Sequence, residues 1–467
     1  MRALPLADGA RQADLGQGTG MAAAVEDGRV KKGEGAAMFL DDLLDDGQAK
    51  AGALVAGGDI GFEQARATAA GHPSRDSAAT AGPASGTTAG AATDVRAVTG
   101  GMASAQGGRV ARTARNDVAI TGLGLVCPLG NSVAAALPRA CRGDSGIRRY
   151  TSPWVEPGHA QLHARVGGTV VDFDPGALLE PKFAARQEPA VLFALAAAAE
   201  ALAQAGLPGP VDRDRFGCVV GGGLPGAELW HRSLHAAYAR DRPDEIARLT
   251  AIAITGTAVT GLLAIRHQLA GPSIGVANAC ASGTSAIALA VDQLRLGRAD
   301  AMLVGGCESS MRGLMTYASF VGGGMNTTDE PRGACAPFAA GRQGFVLAEG
   351  AGMLVLERLD RARARGARVL GVVAGTSLTN DAYHVISPEP SGAAWARAIT
   401  LALADAGVGP DEIDAVSAHA TGTPAGDVAE TRALRLALGA QADRVAVSAT
   451  KSMHGHAFGA AGAIETV

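Results

Sequence analysis

The stretch GVANACASGTSAIALAV (275–291) carries one thiol, Cys280, between an apolar strand pattern and a helical pattern. The helical pattern runs from Thr284 to Leu296, and the residues beside the thiol have small side chains. Amide groups at a helix N-terminus favour a thiolate and can hold an oxyanion, so this bend suits a nucleophilic cysteine. A packed core thiol is the structural alternative, because cysteine is among the most often buried residues.

Strand-like and helical runs alternate on both sides of this bend from Asp117 onward. The order of strand, helix and strand predicts an α/β protein with buried, largely parallel sheets. The glycines of FVLAEGAGMLVLERL (345–359) predict two strands around a tight turn. Other predicted strands begin near 117, 216, 299, 369, 413 and 445, and helices are predicted over 191–206 and 393–406.

The composition excludes several classes of protein. With 467 residues, of which 47% are hydrophobic and 18% charged, the chain can bury a large core. A net charge of -4 without a basic stripe argues against nucleic-acid binding. Two uncharged stretches, 249–265 and 268–291, are predicted as buried core and not as membrane spans. Six cysteines without CxxC spacing predict reduced thiols in a cytoplasmic protein, with no disulfide framework and no zinc site.

Residues 1–116 differ from the rest of the chain. They are rich in Gly, Ala, Ser and Thr, as in SAATAGPASGTTAGAATD (77–94), and this low complexity predicts disorder. The N-terminus lacks the apolar segment of a secretory signal. Met102 shortly precedes the first strong strand pattern, and we expect the functional chain to begin near it. A deletion variant starting there tests this expectation.

A second candidate group follows the apolar segment IDAVSA. The stretch SAHATGTPAGD (417–427) places His419 at a strand end, where a side chain can face a cleft, although a structural histidine fits equally well. Thr421 and Thr423 could bind an amide-bearing substrate arm or only shape the turn.

A third candidate is the lysine in the stretch ATKSMHGHAFGAAGA (449–463). Lys451 stands in an apolar, glycine-rich segment, and a buried lysine needs a partner. Glu465, Asp427 and Glu430 are the candidate partners.

Two histidines follow this lysine. His454 and His456 alternate, so in an extended segment they face opposite ways. We predict that His456, beside the glycine turn, belongs to the site and that His454 lies at the surface.

One cysteine with two histidines at separate strand ends suits thioester chemistry. The cysteine attacks an acyl thioester and holds the acyl group. Neutral imidazoles then donate hydrogen bonds to a second thioester carbonyl as CO2 leaves. A cysteine hydrolase is the alternative, but it gains nothing from a second histidine and a lysine.

Six motifs occur in order between 117 and 467. They are VAITGLGLVCPLGN (118–131), ANACASGTSAI (277–287), FVLAEGAGMLVLE (345–357), NDAYHVISP (380–388), AHATGTPAGD (418–427) and TKSMHGHAFGAAGAIE (450–465). With these motifs the chain resembles the β-ketoacyl-acyl carrier protein synthases of the synthase II type, in the thiolase superfamily.

The resemblance implies a role for each candidate side chain. Cys280 would be the acylated nucleophile, and His419 and His456 the pair that promotes decarboxylation. Supporting roles are implied for five further residues: electrostatic support from Lys451, contacts to a phosphopantetheine arm from Thr421 and Thr423, and ordering of the site by Glu465 and Asp427.

The resemblance also implies the fold and the partners. The fold would be α/β and thiolase-like, with five layers (αβαβα) and two similar halves. Residues 117–367 would form the half with the cysteine, and residues 368–467 the half with the histidines, which we expect to be truncated. An acyl carrier protein would deliver acyl and malonyl groups. A homodimer, or a heterodimer with a related subunit, is implied without metal, cofactor, nucleic acid or membrane.

Two departures from the family pattern stand out. The family usually has glycine after the first catalytic histidine, where this chain has Ala420, and we expect a mild effect. The family's C-terminal Gly-Phe-Gly-Gly loop has no counterpart before Val467, which predicts a fragment or an incomplete second sheet.

The implied reaction is a decarboxylative Claisen condensation that extends a Cys-bound acyl group by two carbons in fatty acid biosynthesis. The motifs do not separate this role from that of a ketosynthase in polyketide or aryl-polyene assembly. A truncated, non-catalytic partner that binds only carrier protein or a full-length synthase is the alternative of another class.

Overall fold

The structure, a computed structural model, describes residues 19–24, 117–151, 165–177, 179–207, 212–224, 226–309, 311 and 324–467. Its strands are β1 (Thr19–Ala24), β2 (Val118–Val126), β3 (Ile147–Arg149), β4 (Val166–Gly168), β5 (Phe216–Gly221), β6 (Ser273–Val276), β7 (Ala301–Ser309), β8 (Glu349–Arg358), β9 (Gly371–Thr379), β10 (Ala415–Ser417) and β11 (Ala446–Ser448).

The α-helices among these residues are α1 (Val133–Cys141), α2 (Pro181–Ala184), α3 (Pro189–Ala205), α4 (Ala227–Leu234), α5 (Thr250–Ala253), α6 (Thr257–His267), α7 (Ser282–Arg295), α8 (Leu359–Ala364), α9 (Ala393–Ala406), α10 (Pro424–Leu438), α11 (Lys451–His454) and α12 (Ala461–Thr466). Short 3₁₀ turns at Ala279–Ala281 and Phe458–Ala460 flank the site described below.

A seven-stranded mixed sheet forms the centre of the fold. Its strand order is β1-β9-β2-β8-β7-β5-β6, in which β5 is parallel to β6 and β7 while the other pairs are antiparallel. The prediction of a largely parallel sheet is therefore wrong. Residues of β7 and β8 are buried on both faces, and such strands have the same continuous hydrophobic pattern in either direction.

Helices cover both faces of this sheet. Residues of α3 and α6 pack on one face with Phe216, Leu303 and Val355, and residues of α7 pack on the other with Val219, Met302 and Leu354. Ten of the fourteen residues of α7 are buried, so this helix lies inside the molecule. The element that carries the candidate nucleophile is thus fixed by packing along most of its length.

Strands β10 and β11 with helices α9 and α10 build a second, smaller unit, while β3 and β4 pair in a separate two-stranded sheet. Strands β10 and β11 are parallel, and Val416 packs with Ile399 of α9 and Leu434 of α10. Strand β9 lies beyond the predicted boundary at 367, yet it pairs with β2. The main sheet therefore continues from one predicted half into the other.

Residues 349–358 of the motif FVLAEGAGMLVLERL form one continuous strand, β8, and the predicted glycine turn inside it is wrong. Its glycines instead allow a close approach of another backbone. A Cβ atom at Gly352 would lie 2.5 Å from the carbonyl carbon of Ala463 in α12. Glycine within a strand can therefore indicate that another backbone packs closely against the strand, and not only that the chain turns.

The region 1–116, predicted to be disordered, lies outside the described residues except for β1. This strand pairs antiparallel with β9, from Thr19 opposite Thr379 to Ala24 opposite Val373. Among the described residues, no helix has the length and hydropathy needed to cross a membrane.

Candidate active site

Cys280 lies in the 3₁₀ turn between β6 and α7, as the strand-bend-helix pattern predicts. Ala279, directly before the thiol, has a φ of +46°, which turns the chain sharply. The Ser282 hydroxyl accepts a hydrogen bond from the Asn278 amide (2.8 Å) and donates one to the Ala279 carbonyl (2.7 Å). These contacts fix the bend, and Cys280 is 5% exposed.

His456 lies directly against the thiol. Its Nε2 is 3.0 Å from the Sγ of Cys280, although the two residues are 176 positions apart. The His456 amide donates to the Val346 carbonyl (2.7 Å), and its carbonyl accepts from the Ala348 amide (2.9 Å). These two backbone hydrogen bonds to the segment before β8 therefore fix the position of His456.

His419 completes a compact group of three. Its ring is perpendicular to that of His456, with 5.3 Å between the ring centroids. One ligand atom from each of Cys280, His419 and His456 lies within 4.8 Å of the others. The structure thus brings together the three side chains that the sequence singled out from separate segments.

Glu430 holds the loop that carries His419. Its two carboxylate oxygens accept hydrogen bonds from the backbone amides of His419 and Ala420, both at 2.7 Å. Burial raises the pKa of Glu430 to about 7, while these two amides act in the opposite direction. Glu430 was a candidate partner of Lys451, and the structure gives it a different function: it positions His419.

Lys451 forms its ion pair with Glu465, at 2.5 Å, and is fully buried. The pKa of Glu465 is raised by burial, which the charge of Lys451 offsets in part. The pKa values of His419 and His456 are well below the usual range because both rings are buried and because Lys451 is positively charged. Both imidazoles are therefore neutral near pH 7.

Thr421, Thr423 and Asp427 organise the turn after His419. The two threonine hydroxyls are 3.1 Å apart, and Thr423 caps α10 by accepting from the Gly426 amide. Asp427 accepts from the amides of Gly422 (3.1 Å) and Phe338 (2.7 Å). All three predicted residues are buried beside the site, where they shape the turn.

His454 is buried, so its predicted surface position is wrong. Only 3% of it is exposed, and its Nε2 lies 3.1 Å from the Thr450 hydroxyl. The prediction assumed an extended segment, but residues 451–454 form helix α11 and Gly455, with a φ of +80°, then redirects the chain. Both His454 and His456 therefore lie inside.

Glu308 and two phenylalanines were missed by the sequence analysis. One oxygen of Glu308 accepts from the amides of Gly223 (2.8 Å) and Gly459 (3.3 Å), and burial raises its pKa to about 7. The rings of Phe458 and Phe345 lie 4.9 Å and 5.9 Å from the His456 ring. A signal for Glu308 did exist: it is the one charged residue of an otherwise apolar strand, β7.

The comparisons with known proteins identify the family of the chain. Residues 115–362 match the family model described as the N-terminal domain of beta-ketoacyl synthase, and residues 370–467 match its C-terminal domain. The chain belongs to the β-ketoacyl synthase family.

Curated members of this family are similar over most of their length. The 3-oxoacyl-[acyl-carrier-protein] synthase 2 of Staphylococcus aureus (strain COL) is 35% identical over 351 residues, which are 75% of this chain and 84% of that protein. The synthase 2 of Synechocystis sp. is 36% identical over 365 residues, 77% of this chain and 85% of that protein.

Solved structures of the β-ketoacyl synthase family have the same fold. A beta-ketoacyl synthase from Burkholderia phymatum STM815 superposes with a TM-score of 0.68 at 30% identity. A type II polyketide ketosynthase, solved in complex with its acyl-carrier protein, gives a TM-score of 0.67 at 30% identity. Each covers 75% of this chain and 84% of the solved chain. The fold is the α/β thiolase-like fold that the motifs implied.

Proposed function

We propose that this chain is a β-ketoacyl-acyl carrier protein synthase that elongates a Cys280-bound acyl group by two carbons, in fatty acid biosynthesis. The observation that carries the proposal is the distance of 3.0 Å between Cys280 Sγ and His456 Nε2, with His419 completing the group. The names of the curated relatives, 3-oxoacyl-[acyl-carrier-protein] synthase 2, support this substrate class.

In the first half-reaction, Cys280 takes the acyl group. Its thiolate attacks the thioester carbonyl, a new C–S bond forms, and the pantetheine thiol leaves with a proton. The backbone amides of the bend and of the first turn of α7 stabilise the oxyanion of the tetrahedral intermediate. The small side chains beside Cys280 leave space for that carbonyl.

In the second half-reaction, a malonyl thioester loses CO2. His419 and His456 donate hydrogen bonds to its carbonyl, where enolate charge grows. Donation to an oxygen requires a proton on the nitrogen that faces it. Burial and the charge of Lys451 keep both rings neutral, so each ring has one N–H that can donate. The carbanion then attacks the Cys280 acyl group, the C–S bond breaks, and a β-ketoacyl thioester is released.

The threonine pair follows His419 in the chain and is buried beside the site. We infer that Thr421 and Thr423 bind the amides of phosphopantetheine, with Lys451, Glu465 and Asp427 keeping the surrounding loops in place. The hydroxyls, 3.1 Å apart, are close enough to act on one amide group.

Mass spectrometry of the intact protein tests the two half-reactions separately. Incubation with acyl-carrier protein should add one acyl mass, which Cys280→Ala abolishes. His419→Asn should keep the acyl adduct but reduce condensation with malonyl-carrier protein by about 100- to 10,000-fold. A folded wild-type chain without adduct would favour the non-catalytic partner, and release of free acid without malonyl substrate would favour a cysteine hydrolase.

A polyketide ketosynthase is the second candidate. Two of the similar solved structures support it: the type II polyketide ketosynthase with its carrier protein, and the ishigamide ketosynthase/chain length factor (31% identity, TM-score 0.66). Product analysis separates the two, because a fatty acid synthase makes one condensation before reduction. Successive unreduced condensations on one acyl group would favour the polyketide role.

The carrier protein is the proposed partner, and we infer that it docks away from the arginine-rich segment 358–368. This segment follows the far end of β8, about 30 Å from the end that faces the site. Three of its five arginines form ion pairs within the chain: Arg358 with Asp360 (2.7 Å), Arg361 with Asp300 (2.6 Å) and Arg365 with Glu357 (2.6 Å). A solvated surface is the better interpretation of this segment.

We further infer a homodimer formed along β6. This strand ends the main sheet, and exposed apolar residues lie near it: Ile252 (56%), Ile254 (37%) and Ile265 (76%). An edge strand with apolar neighbours can extend its sheet into a second copy. Ile265→Glu should halve the mass measured by light scattering, whereas Leu436→Glu, at another exposed site (62%) on α10, should not.

A cytoplasmic location is consistent with this role. All six cysteines are free thiols, as expected in a reducing compartment where carrier-protein thioesters are used.

A further inference from the structure

The three site residues also have the chemistry of a metal site. Cys280, His419 and His456 each offer one ligand atom, all within 4.8 Å of one another, and Sγ and Nε2 are 3.0 Å apart. Zinc binds thiolate sulfur at about 2.3 Å and imidazole nitrogen at about 2.0–2.1 Å. A tetrahedral zinc site therefore separates its ligand atoms by about 3.3–3.6 Å, which lies between the 3.0 Å of the Sγ–Nε2 pair and the 4.8 Å within which all three atoms lie.

A ring nitrogen of the site is available as a ligand. The Nε2 atom of His419 is buried and has no hydrogen-bond partner among the described residues. A cation would give this nitrogen the partner that the protein does not supply.

We propose that Cys280, His419 and His456 bind a soft divalent cation, Zn²⁺ in particular, with a water molecule in the fourth position. The Sγ–H bond of Cys280 breaks, its proton passes to solvent, and a Zn–S bond forms. Two imidazole lone pairs replace two waters of the hydrated ion. Thiolate and imidazole together select zinc over magnesium or calcium.

The bound ion would block acylation reversibly. The Zn–S bond uses the sulfur electron pair that would attack the thioester. The two imidazoles, as zinc ligands, can no longer donate hydrogen bonds to the second substrate. Two features limit the affinity: Lys451 is a nearby positive charge, and the Nδ1 atom of His456 has no described acceptor to orient the ring. Absence of such an outer hydrogen bond weakens a zinc site by about 10- to 100-fold. The site is therefore regulatory or inhibitory and not structural.

Alkylation of the full chain tests the site without any substrate. After chelator treatment and desalting, one equivalent of ZnCl2 should slow the reaction of Cys280 with iodoacetamide at least 10-fold, measured by peptide mass spectrometry. Cys141, an exposed free thiol in the same chain, is the internal control and should react at an unchanged rate. Chelator should restore the rate at Cys280, and MgCl2 should have no effect.

A matched variant and a second measurement complete the test. In His419→Asn, zinc should no longer protect Cys280, whereas alkylation without zinc should still occur. One equivalent of Co²⁺ should give a sulfur-to-cobalt charge-transfer absorption in the wild type that is absent in Cys280→Ser. Equal slowing of both thiols, or absence of protection and of the absorption, would overturn the proposal. Neither result bears on the condensation activity, which these measurements do not use.

Discussion

At the scale of single residues, non-glycine backbones in the left-handed region adjoin the site. Ala279 precedes Cys280 with a φ of +46°, Ala420 follows His419 with +25°, and Phe458 lies two residues after His456 with +38°. Such conformations cost free energy and persist only where surrounding contacts impose them. Glu430 and Glu308 bind backbone amides at Ala420 and next to Phe458, and the Ser282 hydroxyl holds the bend at Ala279.

Replacing Ala420 by glycine should stabilise the protein. Glycine adopts the left-handed region without the clash of a Cβ atom, so we expect Ala420→Gly to raise the free energy of unfolding by about 1 kcal/mol. Urea denaturation measures this change. Ala418→Gly, at a buried neighbour with an ordinary φ, should lower stability instead; an equal loss in both variants would contradict the strain at Ala420.

Acid should destabilise the protein partly through His454. Burial lowers its pKa to about 3, below the value of about 6.5 in an unfolded chain. As the pH falls below that unfolded value, the unfolded chain binds a proton that the folded chain excludes, so stability is lost. Relative to His454→Gln, the wild type should lose about 1.4 kcal/mol per pH unit between pH 6 and 4.

The comparison of the wild type with His454→Gln also removes the contribution of other buried titratable groups to the pH dependence. Glu308 and Glu430 have raised pKa values, so their contribution changes in the opposite direction, falling as the pH rises from about 4.5 to 7. Because both proteins in the comparison contain these carboxylates, their effect cancels. A difference in unfolding free energy that does not vary with pH would contradict a neutral, buried His454.

At the scale of elements, buried carboxylates fasten the site loops to regular structure. Glu430 on α10 binds the His419 loop, and Glu308 at the end of β7 binds the loop after β5 and the turn at Gly459. Each loop therefore moves with a strand or helix of the core. This attachment keeps Cys280 and His456 at a fixed separation although they come from distant elements.

Glu308→Gln should loosen this attachment. Glutamine keeps one accepting oxygen, but the NH2 group that replaces the other can only donate, although four backbone N–H groups (Gly223, Leu224, Ser309 and Gly459) bind the carboxylate. We therefore expect a loss of about 1–3 kcal/mol in unfolding free energy. The kcat of condensation should fall while the KM for carrier protein changes little, because Glu308 acts through the turn at Gly459. Glu330→Gln, at an exposed position, is the control and should change neither. A KM effect without a kcat effect would point to substrate binding instead.

At the scale of the whole molecule, small residues let the layers approach closely. A Cβ atom at Gly124 of β2 would overlap the carbonyl oxygen of Ala197 in α3. Gly352 of β8 meets the backbone of α12 in the same way. The sheet is thus in direct backbone contact with helices on both of its faces.

Gly124→Ala should therefore destabilise the fold strongly. The extra methyl group cannot be accommodated by a side-chain rotation, because its neighbour is backbone, and α3 must shift away from the sheet. Overpacking of this kind costs about 1–3 kcal/mol or more. Gly341→Ala, where nothing lies within 4 Å of the added Cβ, should change the melting temperature little. Similar melting temperatures for the two variants would contradict the close approach.

Local patterns were sufficient to predict much of the fold and the candidate residues. Helix α3 ends at Gly206, whose left-handed φ of +53° is the expected helix stop, and α7 follows the predicted bend closely. These features depend on interactions between residues a few positions apart. For the same reason, the sequence could identify Cys280, His419 and His456 as candidates from their local motifs.

Only the tertiary structure decided how these candidates meet. The 3.0 Å contact between Cys280 and His456 joins residues 176 positions apart, and it exists because α7 and β8 are packed around them. The burial of His454, the continuous strand β8 and the roles of Glu308 and Glu430 have the same origin. Periodicity describes which face of one element is apolar, whereas such contacts depend on which elements pack together, and no local pattern contains that information.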